Sequence, residues 1–212
     1  HFLALTTDVP EKDDWKRLHL GGREIFIQNT GEEIRGFENR CAHRGYPIRN
    51  EDRGNGPILC GFHHWRYDKT GFAYGIPNCE SYFGKRPKQL NKRLEPVEIG
   101  ICGQFVFGRF VASEPGPDLR EWLGDIWPIL EESAQFDYAP TPFRRETASH
   151  WFLNMEISLD DYHVVAVHPT TFGVNGYLDK DRVEYRQYGP HSSYVLSHSG
   201  REGIEMSSVR DF

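Results

Sequence analysis

The chain has 212 residues and a formal net charge of −6, from 25 basic and 31 acidic side chains. An acidic surplus argues against a general nucleic-acid-binding or anionic-membrane surface, because both kinds of partner attract basic patches. The length suffices for one large or two small domains, and no apolar run approaches the roughly 20 residues needed to span a bilayer.

The first half of the chain is typical of short strands separated by turn residues. The stretches REIFIQN (23–29) and EIRGFEN (33–39) are separated by a turn-like Asn-Thr-Gly, and GQFVFGRFVA (103–112) is the last strand of the series. Short strands with Gly, Asn and Pro between them predict a small β-sandwich or barrel. The aromatic content of 14% agrees with substantial β structure.

The pattern changes at SEPGPDLREW, where two prolines and a glycine mark a linker. Asp118 can cap a helix from about Leu119 to Glu132, and Pro128 predicts a kink or an early stop in it. A second proline-rich joint, APTPF (139–143), precedes a strand-like stretch from Arg144 and a helix-like one, LNMEISLDDYHVVAV. We therefore expect a first domain at 1–113, a linker with a helix at 114–140, and part of a second domain at 141–212.

The strongest motif pairs cysteine with histidine twice: Cys41-Ala-His43 and, after sixteen residues, Cys60-Gly-Phe-His63. Each half provides one thiolate and one imidazole among turn residues, so two loops can hold a metal centre between them. The alternating order argues against a zinc finger, in which the two histidines follow together on a helix. It suits a [2Fe–2S] centre in which two cysteines bind one iron and two histidines the other. Structural zinc and unrelated loop residues remain alternatives.

The segments CAHRG (41–45) and CGFHHWRYDKTG (60–71) resemble the two cluster loops of Rieske non-haem iron oxygenases. The resemblance covers most of residues 20–112 and includes the residues that follow the second histidine, namely Trp65, Tyr67, Asp68 and Gly71. It implies a Rieske [2Fe–2S] cluster bound by Cys41, His43, Cys60 and His63. His64 departs from the family, which usually has glycine there, and we expect its side chain to point outward.

The same loops indicate which subtype of Rieske protein the chain resembles. Rieske proteins of respiratory complexes carry one more cysteine in each loop and join the two by a disulfide. The corresponding residues here are Tyr46 and Phe62, so no such bridge can form. By this resemblance the cluster lies toward the low end of the Rieske range, roughly −150 mV. That potential suits electrons from a reduced ferredoxin or a flavin reductase.

A second metal-like set follows at Asp160, His163 and His168. Asp160 and His163 are three residues apart and face the same side of a helix. His163 and His168 are five apart, about 140° around an ideal helix, so a regular helix would not direct both to one ion. Pro169 disfavours helical geometry at His168, which can then turn back toward His163. Without context, two such histidines are more often structural than metal-binding.

The segment HWFLNMEISLDDYHVVAVHP (150–169) resembles the iron motif of the same oxygenase family. The resemblance implies that His163 and His168 bind a mononuclear Fe(II), with a carboxylate as third ligand. In the family that carboxylate lies far downstream, so we expect it beyond Phe212 and the chain to be incomplete. Asp160 would link His163 to the cluster histidine His63 of a neighbouring subunit. A plain solvated Asp160 is the alternative.

Two cysteines, Cys79 and Cys102, remain outside the motif. Four cysteines are too few for a disulfide framework, and the first residues lack the basic flank and apolar stretch of a signal peptide. A reducing, cytoplasmic setting is the simplest interpretation.

Taken together, the resemblance implies an α+β protein: an all-β Rieske domain followed by the start of a helix-grip-like catalytic domain. Its function would be that of the catalytic subunit of a ring-hydroxylating oxygenase, which uses O2 to hydroxylate, dihydroxylate or demethylate a small organic, often aromatic substrate.

The expected partners are a reductase or ferredoxin and further copies of the chain, as a homotrimer or larger, with no nucleic acid or membrane. Phe172, Val174, Tyr177 and Leu178 could line the substrate pocket. A Rieske electron-transfer protein with a non-catalytic extension is the chief alternative.

Overall fold

A computed structural model describes residues 1–112, 114, 116–135, 146–160, 162–168, 170 and 183–196. Contacts within the chain divide it into two units, His1–Leu119 and Arg120–Phe212. None of the described helices is both long and apolar enough to cross a bilayer.

The first unit is built on a seven-stranded antiparallel sheet with the order β1-β10-β9-β4-β3-β2-β5. Its strands are β1 Phe2–Leu5, β2 Asp14–Leu20, β3 Arg23–Asn29, β4 Ile34–Glu38, β5 Arg53–Asn55, β9 Pro96–Cys102 and β10 Phe105–Phe110. The hairpin between β2 and β3 turns at Gly21 and Gly22, which both have positive φ, as the favoured two-residue hairpin turn requires. The strands predicted at 23–29, 33–39 and 103–112 are confirmed within a few residues at their ends.

Strand β3 lies at the centre of this unit because both of its faces are buried. Ile25, Phe26 and Ile27 have no exposed surface. Since alternate residues of a strand point to opposite faces, Phe26 packs on one side of the sheet and the two isoleucines pack on the other. The core on the Phe26 side includes Cys41 and Cys60, so the motif cysteines are part of the hydrophobic core.

A smaller three-stranded antiparallel sheet covers that side of the core. Its strands are β6 Ile58–Leu59, β7 Arg66–Tyr67 and β8 Ala73–Gly75, and two short helices follow, α1 Cys79–Phe83 and α2 Pro87–Leu90. The second motif half lies between β6 and β7. The predicted β-rich character of the first domain is confirmed.

The elements described from the unit boundary onward are α3 Leu119–Leu123, α4 Trp127–Ser133, α5 Trp151–Leu159, α6 Tyr162–Val167 and a hairpin of β11 Val183–Tyr188 and β12 His191–Leu196. The helix predicted from Leu119 to Glu132 is interrupted by a 3-10 turn at Gly124–Ile126. Gly124 has a φ of 53°, which no right-handed helix accommodates, and Pro128 lies in the first turn of α4. The break therefore falls at the glycine and not at the proline.

Candidate metal centre

The two motif halves form two loops with the same backbone design. In the first loop the N–H of Gly45 donates to Cys41 O (2.8 Å), and the N–H of Cys41 donates to Tyr46 O (2.8 Å). In the second loop the N–H of His64 donates to Cys60 O (3.0 Å), and the N–H of Cys60 donates to Trp65 O (2.9 Å). Each cysteine is thus held at the base of a tight turn that presents the histidine two or three residues later.

The loops bring the four predicted ligands together as a cysteine pair and a histidine pair. Cys41 and Cys60 are buried in the same hydrophobic core, and each thiol lies close enough to influence the other electrostatically. Nδ1 of His43 lies 3.2 Å from Nδ1 of His63, and His63 is exposed to solvent. The cysteines therefore face the core, and the histidines face the surface.

This arrangement fits a cluster in which each iron takes two ligands of one kind. Nitrogens that bind one metal ion at about 2.1 Å can be at most about 4.2 Å apart, and the observed separation of 3.2 Å is within that limit. Burial, followed by the charge of His63, lowers the pKa of His43, which favours the neutral imidazole that binds metals. Within the described residues no group of three or more His, Cys, Asp or Glu could hold a single ion. A Rieske centre needs only two protein ligands for each iron.

Burial raises the pKa of the Cys41 thiol and so favours its protonated form. Tyr67 opposes this effect: its Oη lies 2.9 Å from Cys41 Sγ and accepts the N–H of Ala42 at 3.1 Å. Burial and the contact with Cys41 raise the pKa of Tyr67, so its hydroxyl stays neutral. When a metal binds, Cys41 Sγ carries no proton, so the Tyr67 hydroxyl would be the donor of this contact.

Aromatic rings surround the histidine pair. The ring of His43 stacks on Trp65 of the other loop, with centroids 4.8 Å apart and planes 8° apart, and Phe83 of α1 meets His43 edge-on at 6.1 Å. On the surface, Tyr46 contacts Phe62 at a centroid distance of 5.2 Å. All four cysteines are free, as expected for a chain in which these two aromatic residues take the place of the bracing cysteines.

The first loop is closed by Asn39, whose importance the sequence did not indicate. Its side chain is 2% exposed and forms four hydrogen bonds. Oδ1 accepts the N–H groups of Ile48 and Arg49 at 3.0 and 2.8 Å, and Nδ2 donates to Arg49 O (2.8 Å) and Glu24 Oε2 (3.2 Å). Asn39 thus joins the start of the loop to its end. Its place at the end of a predicted strand, two residues before Cys41, was the available signal.

Arg49 holds the end of the same loop against the sheet. Its Nη2 donates to Gln28 Oε1 (2.6 Å) and Gly56 O (3.1 Å), and its guanidinium lies 4.6 Å from the ring of Trp15. Burial lowers the pKa of Arg49 to about 10, so the group remains charged at neutral pH. An aromatic face and two oxygen acceptors replace part of the water that this buried cation has lost, while its Nε has no hydrogen-bond partner among the described residues.

The second predicted set consists of Asp160, His163 and His168, and the structure brings its members near one another without joining all three at one point. Asp160 Oδ2 lies 3.4 Å from His163 Nδ1, and the rings of His163 and His168 are 5.9 Å apart. The expectation that Asp160 and His163 share one helix is wrong: Asp160 ends α5 with extended backbone angles, and α6 starts at Tyr162. Helix α6 ends at Val167, so His168 follows the helix, as Pro169 predicted.

Other expected residues of this set cannot be located. The four apolar candidates for the pocket wall, Phe172, Val174, Tyr177 and Leu178, lie outside the described residues, as does the joint at 139–143. The third ligand was expected beyond Phe212.

Comparison with known proteins gives three findings. Residues 1–95 match the Rieske [2Fe-2S] domain family. The whole chain aligns with the large subunit of anthranilate 1,2-dioxygenase from Burkholderia cepacia at 27% identity, and the alignment covers 53% of that subunit. The chain also aligns with the terminal oxygenase component subunit alpha 2 of terephthalate 1,2-dioxygenase from Comamonas sp at 30% identity. This alignment covers 94% of the chain and 51% of that subunit.

Solved structures agree on the fold. The naphthalene 1,2-dioxygenase from Rhodococcus sp. bound to indole superposes with a TM-score of 0.77 at 23% identity, covering 99% of this chain and 52% of that one. The chain spans about half the length of the curated relatives it matches.

Proposed function

We propose that this chain is the electron-accepting and O2-activating component of a ring-hydroxylating oxygenase. The premise is that residues 1–95 match the Rieske [2Fe-2S] domain family and that the chain is similar to the large oxygenase subunits of such dioxygenases. The observation that carries the proposal is the pairing of two buried cysteines with two histidines whose Nδ1 atoms are 3.2 Å apart. Cys41, Cys60, His43 and His63 would hold the cluster. His163 and His168 would hold a mononuclear iron.

The bound metals supply one-electron transfer at the cluster and O2 chemistry at the mononuclear iron. The chain contributes position and the exclusion of water. The buried cysteines keep one side of the centre dry, and Trp65 fixes the orientation of the His43 ring by stacking on it. Because His63 is exposed, an electron-transfer partner would approach the bound cluster on the histidine side.

At the second site Asp160 would fix the tautomer of His163 if the two side chains, whose closest atoms are now 3.4 Å apart, formed a hydrogen bond. Its carboxylate lies toward Nδ1, so a proton on Nδ1 leaves Nε2 of His163 free for iron. We place Asp160 between His163 of one subunit and His63 of the next, in a homotrimer or larger ring. The substrate would be a small organic, often aromatic molecule, and the donor a ferredoxin or reductase.

Metal analysis tests the proposal. Purified protein should contain two irons and two acid-labile sulfides for the cluster, with a third iron for the mononuclear site. Cys60→Ser should abolish the visible absorbance of the cluster, whereas Cys79→Ser, which alters a buried cysteine outside the motif, should retain it. His163→Ala should lose the third iron alone. Stoichiometric zinc without sulfide would contradict the proposal.

Simple electron transfer is a second candidate function. It is favoured by one observation: the match to the Rieske family covers residues 1–95 and does not include His163 or His168. Two irons per chain, no third iron and no oxygenated product would support it. Asp160→Asn separates the two functions, because turnover that survives with both metal sites intact would exclude the proposed relay.

A further inference from the structure

Charge is unevenly distributed around the candidate metal centre. Residues 40–93 contain eleven Lys and Arg and four Asp and Glu, although the whole chain has a net charge of −6. Nine residues within that region, KRPKQLNKR (85–93), contain five basic side chains and no acidic one. We call this stretch the basic segment. Its charged residues are all exposed: Lys85, Arg86, Lys88, Lys92 and Arg93.

The backbone of the basic segment is fixed beside the cluster loops. Immediately before it, Phe83 contacts the rings of His43 and Trp65 at 6.1 and 5.9 Å. Within it, Leu90 packs against the core that contains both motif cysteines, and Lys92 O accepts the N–H of Ala73 at 2.9 Å. The positive charges are therefore displayed from a fixed position next to a ligand histidine.

Most of this charge is available to a partner. Among the described residues, Arg86 pairs with Glu80 at 3.0 Å, and Arg93 donates to Thr70 Oγ1 at 3.3 Å. In the part of the chain that the structure describes, no carboxylate lies within 4.0 Å of the ammonium groups of Lys85, Lys88 or Lys92. Three exposed ammonium groups within eight residues of chain produce a positive potential that extends beyond contact distance.

We propose that the basic segment is the docking surface for an acidic electron-donor protein, an inference that rests on the proposed function. In the docked pair one electron leaves the reduced centre of the donor, which is oxidised, and reduces the cluster, with no bond formed or broken. The surface suits this partner better than a second copy of the chain. Lysine is depleted in buried protein–protein interfaces. Exposed charge mainly raises the association rate of two proteins and adds less to the affinity of their complex, which suits a transient electron-transfer partner.

Binding of a probe protein provides the first test. An acidic plant-type [2Fe–2S] ferredoxin is titrated into the oxidised, cluster-loaded full chain by calorimetry, at about 0.02 M and about 0.5 M ionic strength. Lys88→Glu and Lys92→Glu should each weaken binding about threefold to tenfold at low salt, and this difference should disappear at high salt. The matched control is Lys12→Glu, which makes the same charge change at an exposed lysine outside the segment and should bind as the native chain does.

Three results would overturn the docking surface. The first is equal weakening by Lys12→Glu and Lys88→Glu, because net charge alone would then explain the effect. The second is native binding that does not depend on salt. The third is a change in molar mass by light scattering in Lys88→Glu or Lys92→Glu, because the segment would then join copies of the chain.

A second readout separates this inference from the proposed function. The cluster absorbance and its reduction by dithionite should be the same in the native chain and all three variants, while reduction by the ferredoxin should slow in Lys88→Glu and Lys92→Glu alone. A native chain without cluster absorbance would refute the proposed function. Normal reduction by dithionite with unchanged ferredoxin binding in both variants would refute the docking surface and leave the proposed function standing.

Discussion

Gly45 and His64 occupy equivalent positions in the two cluster loops. Their φ angles are 73° and 56°, and each donates its N–H to the carbonyl of the cysteine four residues earlier. The turn requires a left-handed residue at this point, which glycine adopts without cost. This requirement explains why glycine is usual at the position of His64 in the family that the loops resemble.

His64→Gly should therefore stabilise the protein. The left-handed conformation costs a residue with a side chain about 1 kcal/mol or more, and glycine removes that cost. We expect the free energy of unfolding, measured in urea, to rise by about 1 kcal/mol. His64→Ala removes the same imidazole but keeps a Cβ, so it should not stabilise. Equal stability of the two variants would show that backbone strain is not the cause.

Tyr67→Phe should lower the reduction potential of the cluster. The hydroxyl donates toward Cys41 Sγ at 2.9 Å, and a donor to sulfur stabilises the more negative, reduced cluster. Loss of a bond of about 1 kcal/mol corresponds to roughly 40 mV for one electron, to be measured by spectroelectrochemistry. Tyr74→Phe, at an exposed tyrosine, is the control and should leave the potential unchanged. A potential that is the same in both variants would refute the assigned direction of the hydrogen bond.

Asn39→Ala should destabilise the first loop strongly. Removal of the side chain leaves the N–H groups of Ile48 and Arg49 and one carbonyl without their buried partner, at a total cost of about 2–4 kcal/mol. Chemical denaturation measures the loss, and iron content should fall with it. Asn55→Ala removes an exposed asparagine that bonds Lys12 O and Asp14, and should cost less than about 1 kcal/mol. A loss of similar size in the two variants would argue against the closing role of Asn39.

We predict that the free energy of unfolding depends on pH through the carboxyl group of Asp68. Partial burial raises the pKa of its carboxyl, but hydrogen bonds from Thr70 Oγ1 and the N–H groups of Phe72 and Thr70 outweigh burial and lower the pKa below its usual value. Because its pKa is lower in the folded state, the Asp68 carboxylate adds to the free energy of unfolding. This contribution is fully present above the unfolded-state pKa and is lost as pH falls through the folded-state pKa. Unfolding measured from about pH 7 to about pH 3 should show this loss in the native chain and a shallower decline in Asp68→Asn. Identical slopes would contradict the prediction.

The sequence was informative where function depends on local spacing. Cys41, His43, Cys60 and His63 could be named because each loop provides its ligands within four residues, and β3 could be predicted because REIFIQN has the residues that strands favour. The four residues remain a predicted ligand set, which the structure brings together.

Relationships across long stretches of chain were beyond sequence reasoning. Asn39 bonds residues up to fifteen positions away, and Arg49 reaches Gln28 on a neighbouring strand. The position of Asn39 before Cys41 is the one local signal, and nothing in the local sequence identifies the partners of either residue. Asp160 shows a different limit: helical periodicity placed it on the same helix as His163, but the first helix ends there. The domain boundaries remain predictions.

The contact between Tyr46 and Phe62 joins the loop tips by packing and not by a covalent bond. A ring pair of this kind contributes about 0.5–1.5 kcal/mol. Because the pair contains no sulfur, it forms in the same way in reducing and in oxidising surroundings. A thiol reductant that would open a bracing disulfide therefore leaves this contact intact.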